Sequence, residues 1–220
     1  PGTRVEDVRC AVDYLVTLPY VDEEKIGVLG VCAGGGYAVN AAMTEHRIKA
    51  VGTVVGVNIG RANREGGAIA TLEAIGKQRT AEARGAEPLI SNWIPNSTEE
   101  RDQAGITDVD ISQAVDYYRT PRGQNACSPN KLRFTSLGSV IAFDAFNLVE
   151  ELLTQPIQII TGDVPGAFGS MQEGRNLFAR VTSEKDLFGV EGATHYGLYD
   201  QPEPVAKAVT KLISFYEKHL

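Results

Sequence analysis

Positive charge, histidine and cysteine are all scarce in this chain. Its 220 residues carry 21 Lys and Arg against 28 Asp and Glu, a formal net charge of −7. A surface of that sign does not attract nucleic acid or an anionic membrane, so neither is expected as a partner. The three cysteines are an odd number without metal-ligand spacing, and they make neither a disulfide framework nor a metal site. No cofactor is implied. No apolar run approaches the roughly 18 residues of a membrane span, and the first residues read as an amphipathic helix rather than a signal peptide. A cytoplasmic, reducing setting is expected, one in which a free thiol survives.

What the chain does have is ordinary globular composition, 43% hydrophobic and 22% charged residues. Its length suits one domain with a sizeable core and an inserted subdomain. The organising stretch is residues 25–42, KIGVLGVCAGGGYAVNAA. An apolar run (Ile26, Val28, Leu29) suited to a buried strand leads directly into Gly30-Val31-Cys32-Ala33-Gly34, and an Ala-rich segment of helical spacing follows. Strand, Gly-x-nucleophile-x-Gly, helix is the pattern of a nucleophile elbow. The glycines are expected because the turn is strained and because strand and helix approach closely there. The thiol then stands above a helix N-terminus, whose dipole favours the thiolate.

Before this stretch, Val5, Val8, Val12 and Leu15 recur at steps of three and four and predict a helix over 4–18. Thr3 and Glu6 offer it a capping box. Cys10 lies off the apolar stripe and reads as a surface residue. After the elbow helix, 48–57 (IKAVGTVVGV) is an apolar, β-branched run that predicts a buried parallel strand. The character then changes. Residues 58–155 are rich in Ala, Glu, Arg and Gln and broken by Pro88, Pro95, Pro121 and Pro129, too long a stretch for a plain crossover. They predict an inserted, mostly helical cap. Strand character returns at 156–162 and 186–190, and 205–220 closes the chain as an amphipathic helix. The expected parts are therefore 1–57 and 156–220 for an α/β core and 58–155 for the cap.

Nucleophile, acid, His is the chain order of hydrolases built on a doubly wound sheet. Here Cys32 follows one strand, Asp163 a later one and His195 the last. Carboxyl ends of parallel strands are where such sheets put their active sites. Cys attacks an acyl carbon, His moves the proton, and a carboxylate orients the imidazole. His46 and His219 read as helix-end residues. Asp163 directly follows Gly162, whereas Pro165 holds the usual position of the acid, so Glu173 and Asp200 stand as substitutes for it. The N–H of Ala33, next after Cys32, is the expected oxyanion donor.

Three motifs, KIGVLGVCAGGGYA, DYYRTPRG at 116–123 and GATHYGLYD at 192–200, carry a resemblance. Together, and across essentially the whole chain, they resemble a group of microbial and fungal α/β-hydrolases described as dienelactone-hydrolase-like or X-prolyl-peptidase-like, with relatives called polyketide transferases. The resemblance implies an α/β-hydrolase fold, a doubly wound, mostly parallel sheet, and roles for Cys32 and His195 at matching positions. It also implies a segment ahead of Arg4 that carries the first strands and one oxyanion donor. Residues 25–30 read as apolar on both faces, so their free edge is expected to be covered by a strand from outside 1–220. An N-terminal segment, a second chain or a homo-oligomer would serve.

The function expected is a cysteine-nucleophile acyl hydrolase on a small-molecule ester, lactone or thioester. Acyl transfer in secondary metabolism and a catalytically inactive binding protein on the same fold are the alternatives.

Overall fold

A computed structural model describes every residue from Pro1 to Leu220. Helix α1 (Gly2–Leu15) buries Val5 and Val12 on the anticipated stripe. It starts at Pro1 without a side-chain cap, so the capping box expected at Thr3 does not form. The turn into the first strand is held by Asp22, whose carboxylate accepts the Glu24 N–H at 3.0 Å. Strand β1 (Ile26–Val31), helix α2 (Ala33–Ala42) and strand β2 (Ile48–Val54) follow as one strand–helix–strand unit.

The chain then runs through α3 (Ile59–Arg64), α4 (Ala68–Ala83), β3 (Ile90–Ser91), α5 (Thr98–Gln103), α6 (Val109–Tyr118), β4 (Leu132–Arg133) and α7 (Leu137–Ala142). It returns through α8 (Val149–Leu152), β5 (Ile157–Gly162), α9 (Ser170–Arg180), β6 (Lys185–Val190), α10 (Gly197–Asp200) and α11 (Pro202–His219). Two compact units result. One holds 1–59, 144–165 and 169–220, the other 60–143 and 166–168. The second differs from the stretch 58–155 read from composition in that 58–59 and 144–155 group with the first and 166–168 with the second.

The first unit has the α/β-hydrolase fold. Four parallel strands lie in the order β1-β2-β5-β6. Parallel strands covered by helices on both faces bury both sets of side chains. All six residues of β5 are accordingly buried, and six of seven in β2. Val54, Val55, Ile160 and Val190 from the strands pack with Ala208 and Leu212 of α11. Strand β1 pairs only with β2 in this sheet. Leu29 and Val31 on it are 49% and 41% exposed, where apolar burial on both faces was expected.

The second unit is mostly helical, with β3 and β4 forming a two-residue antiparallel ladder that the sequence did not announce. At the start of α6, Asp108 accepts the Ile111 N–H at 3.0 Å and caps the helix. Its other oxygen takes the Ala167 N–H at 3.0 Å, and Asp110 takes the Phe168 N–H at 2.9 Å. These two carboxylates explain why 166–168 join this unit. Asp110 is buried, and burial raises its pKa. The DYYRTPRG motif closes α6. Asp116 pairs with Arg101 at 2.9 Å, and Arg122 lies over the Tyr117 ring.

Candidate active site

Cys32 stands between β1 and α2 with φ 54° and ψ −128°, a backbone state that a residue with a Cβ holds only under constraint. Hydrogen bonds on both sides supply the constraint. The Cys32 N–H donates to the Val54 carbonyl at 3.1 Å, while its own carbonyl accepts from Gly35 at 2.9 Å and from Val57 at 3.0 Å. Val55, at the end of the neighbouring strand, also has a positive φ of 45°. Its N–H is tied to the Ile160 carbonyl at 2.8 Å. Backbone strain is thus concentrated at the carboxyl ends of two adjacent strands.

The glycines around Cys32 divide into two kinds. A Cβ on Gly30 would meet the Gly34 carbonyl oxygen at 2.3 Å, and one on Gly35 would meet Gly56 Cα at 2.8 Å. At Gly34 a Cβ would meet nothing within 4 Å. Close approach of strand and helix therefore requires Gly30 and Gly35, not both glycines of the G-x-C-x-G pattern.

Cys32 is half-buried, whereas Cys10 and Cys127 are exposed. Ala33 opens α2, so its N–H has no acceptor within the helix. One turn further on, the Tyr37 phenol is pushed up by burial, with the Cys32 thiolate adding to the rise and Arg4 offsetting part of it. Its electrostatic coupling to the thiol makes Tyr37 a site neighbour that sequence reasoning did not pick out.

His195 lies in the loop after β6, at the same end of the sheet as Cys32. It is 1% exposed. The rings of Tyr196 and Tyr199 stand 5.0 and 5.6 Å from it. Burial lowers its pKa to about 4, so the imidazole is neutral near pH 7. Its Nδ1 lies 3.0 Å from the hydroxyl of Ser170, itself buried at the start of α9. Nothing in the sequence marked Ser170 beyond its place after a glycine at a helix start.

Asp163, the expected acid, stands in the turn after β5. It is exposed, and its carboxylate accepts the Gly192 N–H at 2.7 Å. The reason is its place directly after Gly162. A Cβ on Gly162 would meet the Ala193 carbonyl oxygen at 2.2 Å, and the Val164 N–H donates to that same carbonyl at 3.2 Å. Residues 162–164 are therefore pressed onto the backbone of 192–193, and the carboxylate between them turns to the loop it clamps. Of the substitutes, Glu173 is buried on α9, one turn beyond Ser170, and Asp200 is exposed on α10. His46 and His219 lie by the amino ends of strands instead, His46 two residues before β2 and His219 at 3.6 Å from Glu184, the residue before β6.

Comparison with known proteins adds an independent line. The model of the dienelactone hydrolase family matches residues 2–74, a stretch that spans β1, the elbow and β2. The uncharacterized protein YcjY of Escherichia coli (strain K12) is 38% identical over 229 residues, covering all of this chain and 72% of YcjY. The uncharacterized protein PA2218 of Pseudomonas aeruginosa is 29% identical over 231 residues, and the chain spans 59% of it. The crystal structure of PA2218 aligns with a TM-score of 0.86 over 98% of this chain and 67% of that one. The α/β hydrolase GrgF from Penicillium sp. sh18, at 17% identity, aligns with a TM-score of 0.71 over 98% of this chain and 71% of its own, a likeness of fold.

Proposed function

This chain belongs to the same family as YcjY and has an α/β-hydrolase fold, and we propose that it is an acyl hydrolase whose nucleophile is Cys32. The observation that carries this reading is the strained backbone of Cys32, φ 54° and ψ −128°, between a parallel strand and a helix N-terminus. Strain of 1–3 kcal/mol persists only where surrounding structure over-determines it, and such residues cluster at active sites. The substrate class is a small ester, lactone or thioester.

In the first step the sulfur attacks the acyl carbon as His195 takes up the thiol proton. The carbonyl oxygen, now an oxyanion, is met by the Ala33 N–H. Collapse expels the alcohol or thiol, which leaves with the proton from His195, and the acyl group remains on Cys32 as a thioester. Water then attacks that thioester with His195 again as base, releasing the acid and restoring the thiol. An imidazole held neutral by burial is in the right state to begin as a base.

Cys32→Ala assayed with p-nitrophenyl acetate and short acyl thioesters tests the reading, and loss of turnover is expected. Unchanged turnover in that variant would end it. Free acid as the product at every concentration of added alcohol or amine marks hydrolysis rather than acyl transfer.

A further inference from the structure

We propose that Ser170 is a positioning residue for His195: its hydroxyl accepts the Nδ1–H, leaving Nε2 the lone pair that takes the Cys32 proton. The inference rests on the catalytic reading of Cys32 and His195. What it adds is an uncharged group in the place where a triad acid is ordinarily found.

The geometry is specific. Ser170 Oγ and His195 Nδ1 are 3.0 Å apart, and their residues are 7% and 1% exposed, so water does not compete freely for either atom. Ser170 is the first residue of α9, after Gly169 in the left-handed region at φ 67°. The helix is secured at once by the Glu173 N–H, which donates to the Gly169 carbonyl at 2.9 Å. The hydroxyl thus sits on a rigid element. The rings of Tyr196 and Tyr199 pack against the imidazole at 5.0 and 5.6 Å between ring centroids.

A hydroxyl and a carboxylate at Nδ1 do different things. Both accept the Nδ1–H and so select the tautomer and the ring plane. Only the carboxylate stabilises the imidazolium. Charged groups on the neighbouring elements include Asp163, engaged with the Gly192 N–H, Glu173, Arg175 and Arg180 on α9, Glu191 in the loop of His195, and Asp200 on α10. With a hydroxyl at Nδ1 the resting pair is thiol and neutral imidazole, and the proton moves during attack instead of beforehand.

The ¹⁵N spectrum of the His195 side chain in the unmodified protein at pH 7 tests this directly. A protonated Nδ1 with an unprotonated Nε2 is expected, and the reverse tautomer would overturn the proposal. In p-nitrophenyl acetate turnover, Ser170→Ala is expected to lower kcat about 10- to 100-fold, part of the roughly 10²–10⁴ that a general base contributes. KM should stay within about threefold, and Ser170→Thr should recover most of the loss. A Ser170→Ala protein with the parent kcat and an unchanged ¹⁵N spectrum would refute the role while the assignment of Cys32 stood. If Ser170→Ala does not fold, the tautomer in the unmodified protein decides. Turnover that survives Cys32→Ala would instead remove the catalytic reading on which the role depends.

Discussion

Asn58 Nδ2 donates to Asp144 Oδ1 at 2.7 Å, joining two residues 86 positions apart. They lie where the chain leaves the α/β unit and where it returns to it. The buried Asn58 also accepts the Ala145 N–H at 3.2 Å, and Asp144 accepts the Phe146 N–H at 3.1 Å. One amide and one carboxylate therefore close the base of a long insertion, so the sheet sees two adjacent chain ends rather than a loose loop. Asn58→Ala leaves the Ala145 N–H without its acceptor and is expected to cost about 1–3 kcal/mol. Urea unfolding of Asn58→Ala, Asp144→Ala and the double variant checks this. Strictly additive effects would show that the two residues are not coupled.

At the elbow, Gly30→Ala and Gly34→Ala should differ sharply although both belong to the same motif. The first drives a methyl group into the Gly34 carbonyl and is expected to cost about 1–3 kcal/mol or more. The second adds a methyl group in open space on a helix, where Ala is favoured over Gly by up to about 1 kcal/mol. Thermal melts should show Gly34→Ala at or above the parent. Equal losses in the two variants would contradict the steric account.

Stability should fall as the medium is acidified from about pH 6.5 to about pH 4 in a way that depends on His195. In the unfolded chain this imidazole takes up a proton as pH drops through its ordinary value of 6.5. In the folded protein burial keeps it neutral down to about 4. The unfolded state binds more protons in that window, so stability present above pH 6.5 is lost on the way down, by an amount on the order of 3 kcal/mol. His195→Gln should flatten this part of the stability curve. An identical slope in parent and variant would exclude His195 as its source.

Asp163→Asn keeps an oxygen that can accept the Gly192 N–H, and it should leave turnover within about threefold of the parent. A carboxylate that orients a catalytic imidazole behaves otherwise, since its amide replacement lowers kcat by about 10⁴. Asp163→Ala, which removes the clamp, should lower the melting temperature more than Asp163→Asn does. A loss of several orders of magnitude in the Asn variant would return Asp163 to the catalytic machinery.

The outer edge of β1 is expected to be paired with a strand from outside residues 1–220. The exposed apolar side chains of Leu29 and Val31 support this expectation, since an open apolar edge invites aggregation. Amide exchange on the protein as isolated from its source should find β1 protected about as well as β2. Exchange along the whole of β1 at loop-like rates in a stable, active protein would show the edge to be bare.

Much of the fold was written in local pattern. Apolar β-branched runs placed all four parallel strands within a few residues of their bounds, and the glycine-flanked Cys32 marked the elbow, because strand burial and tight turns constrain residues adjacent in sequence. The same locality singled out His195 as a candidate, the one histidine in a loop following a strand. What only the tertiary structure decided were pairings across long separations. Whether Asp163 or Ser170 meets the imidazole depends on how the loop after β5 is pressed onto residues 192–193. Which of the two elbow glycines is required depends on where the backbone of α2 passes over β1. Asn58 and Asp144 carry no mark of their partnership, since a hydrogen bond across 86 positions follows from the path of the whole chain and from no property of either neighbourhood.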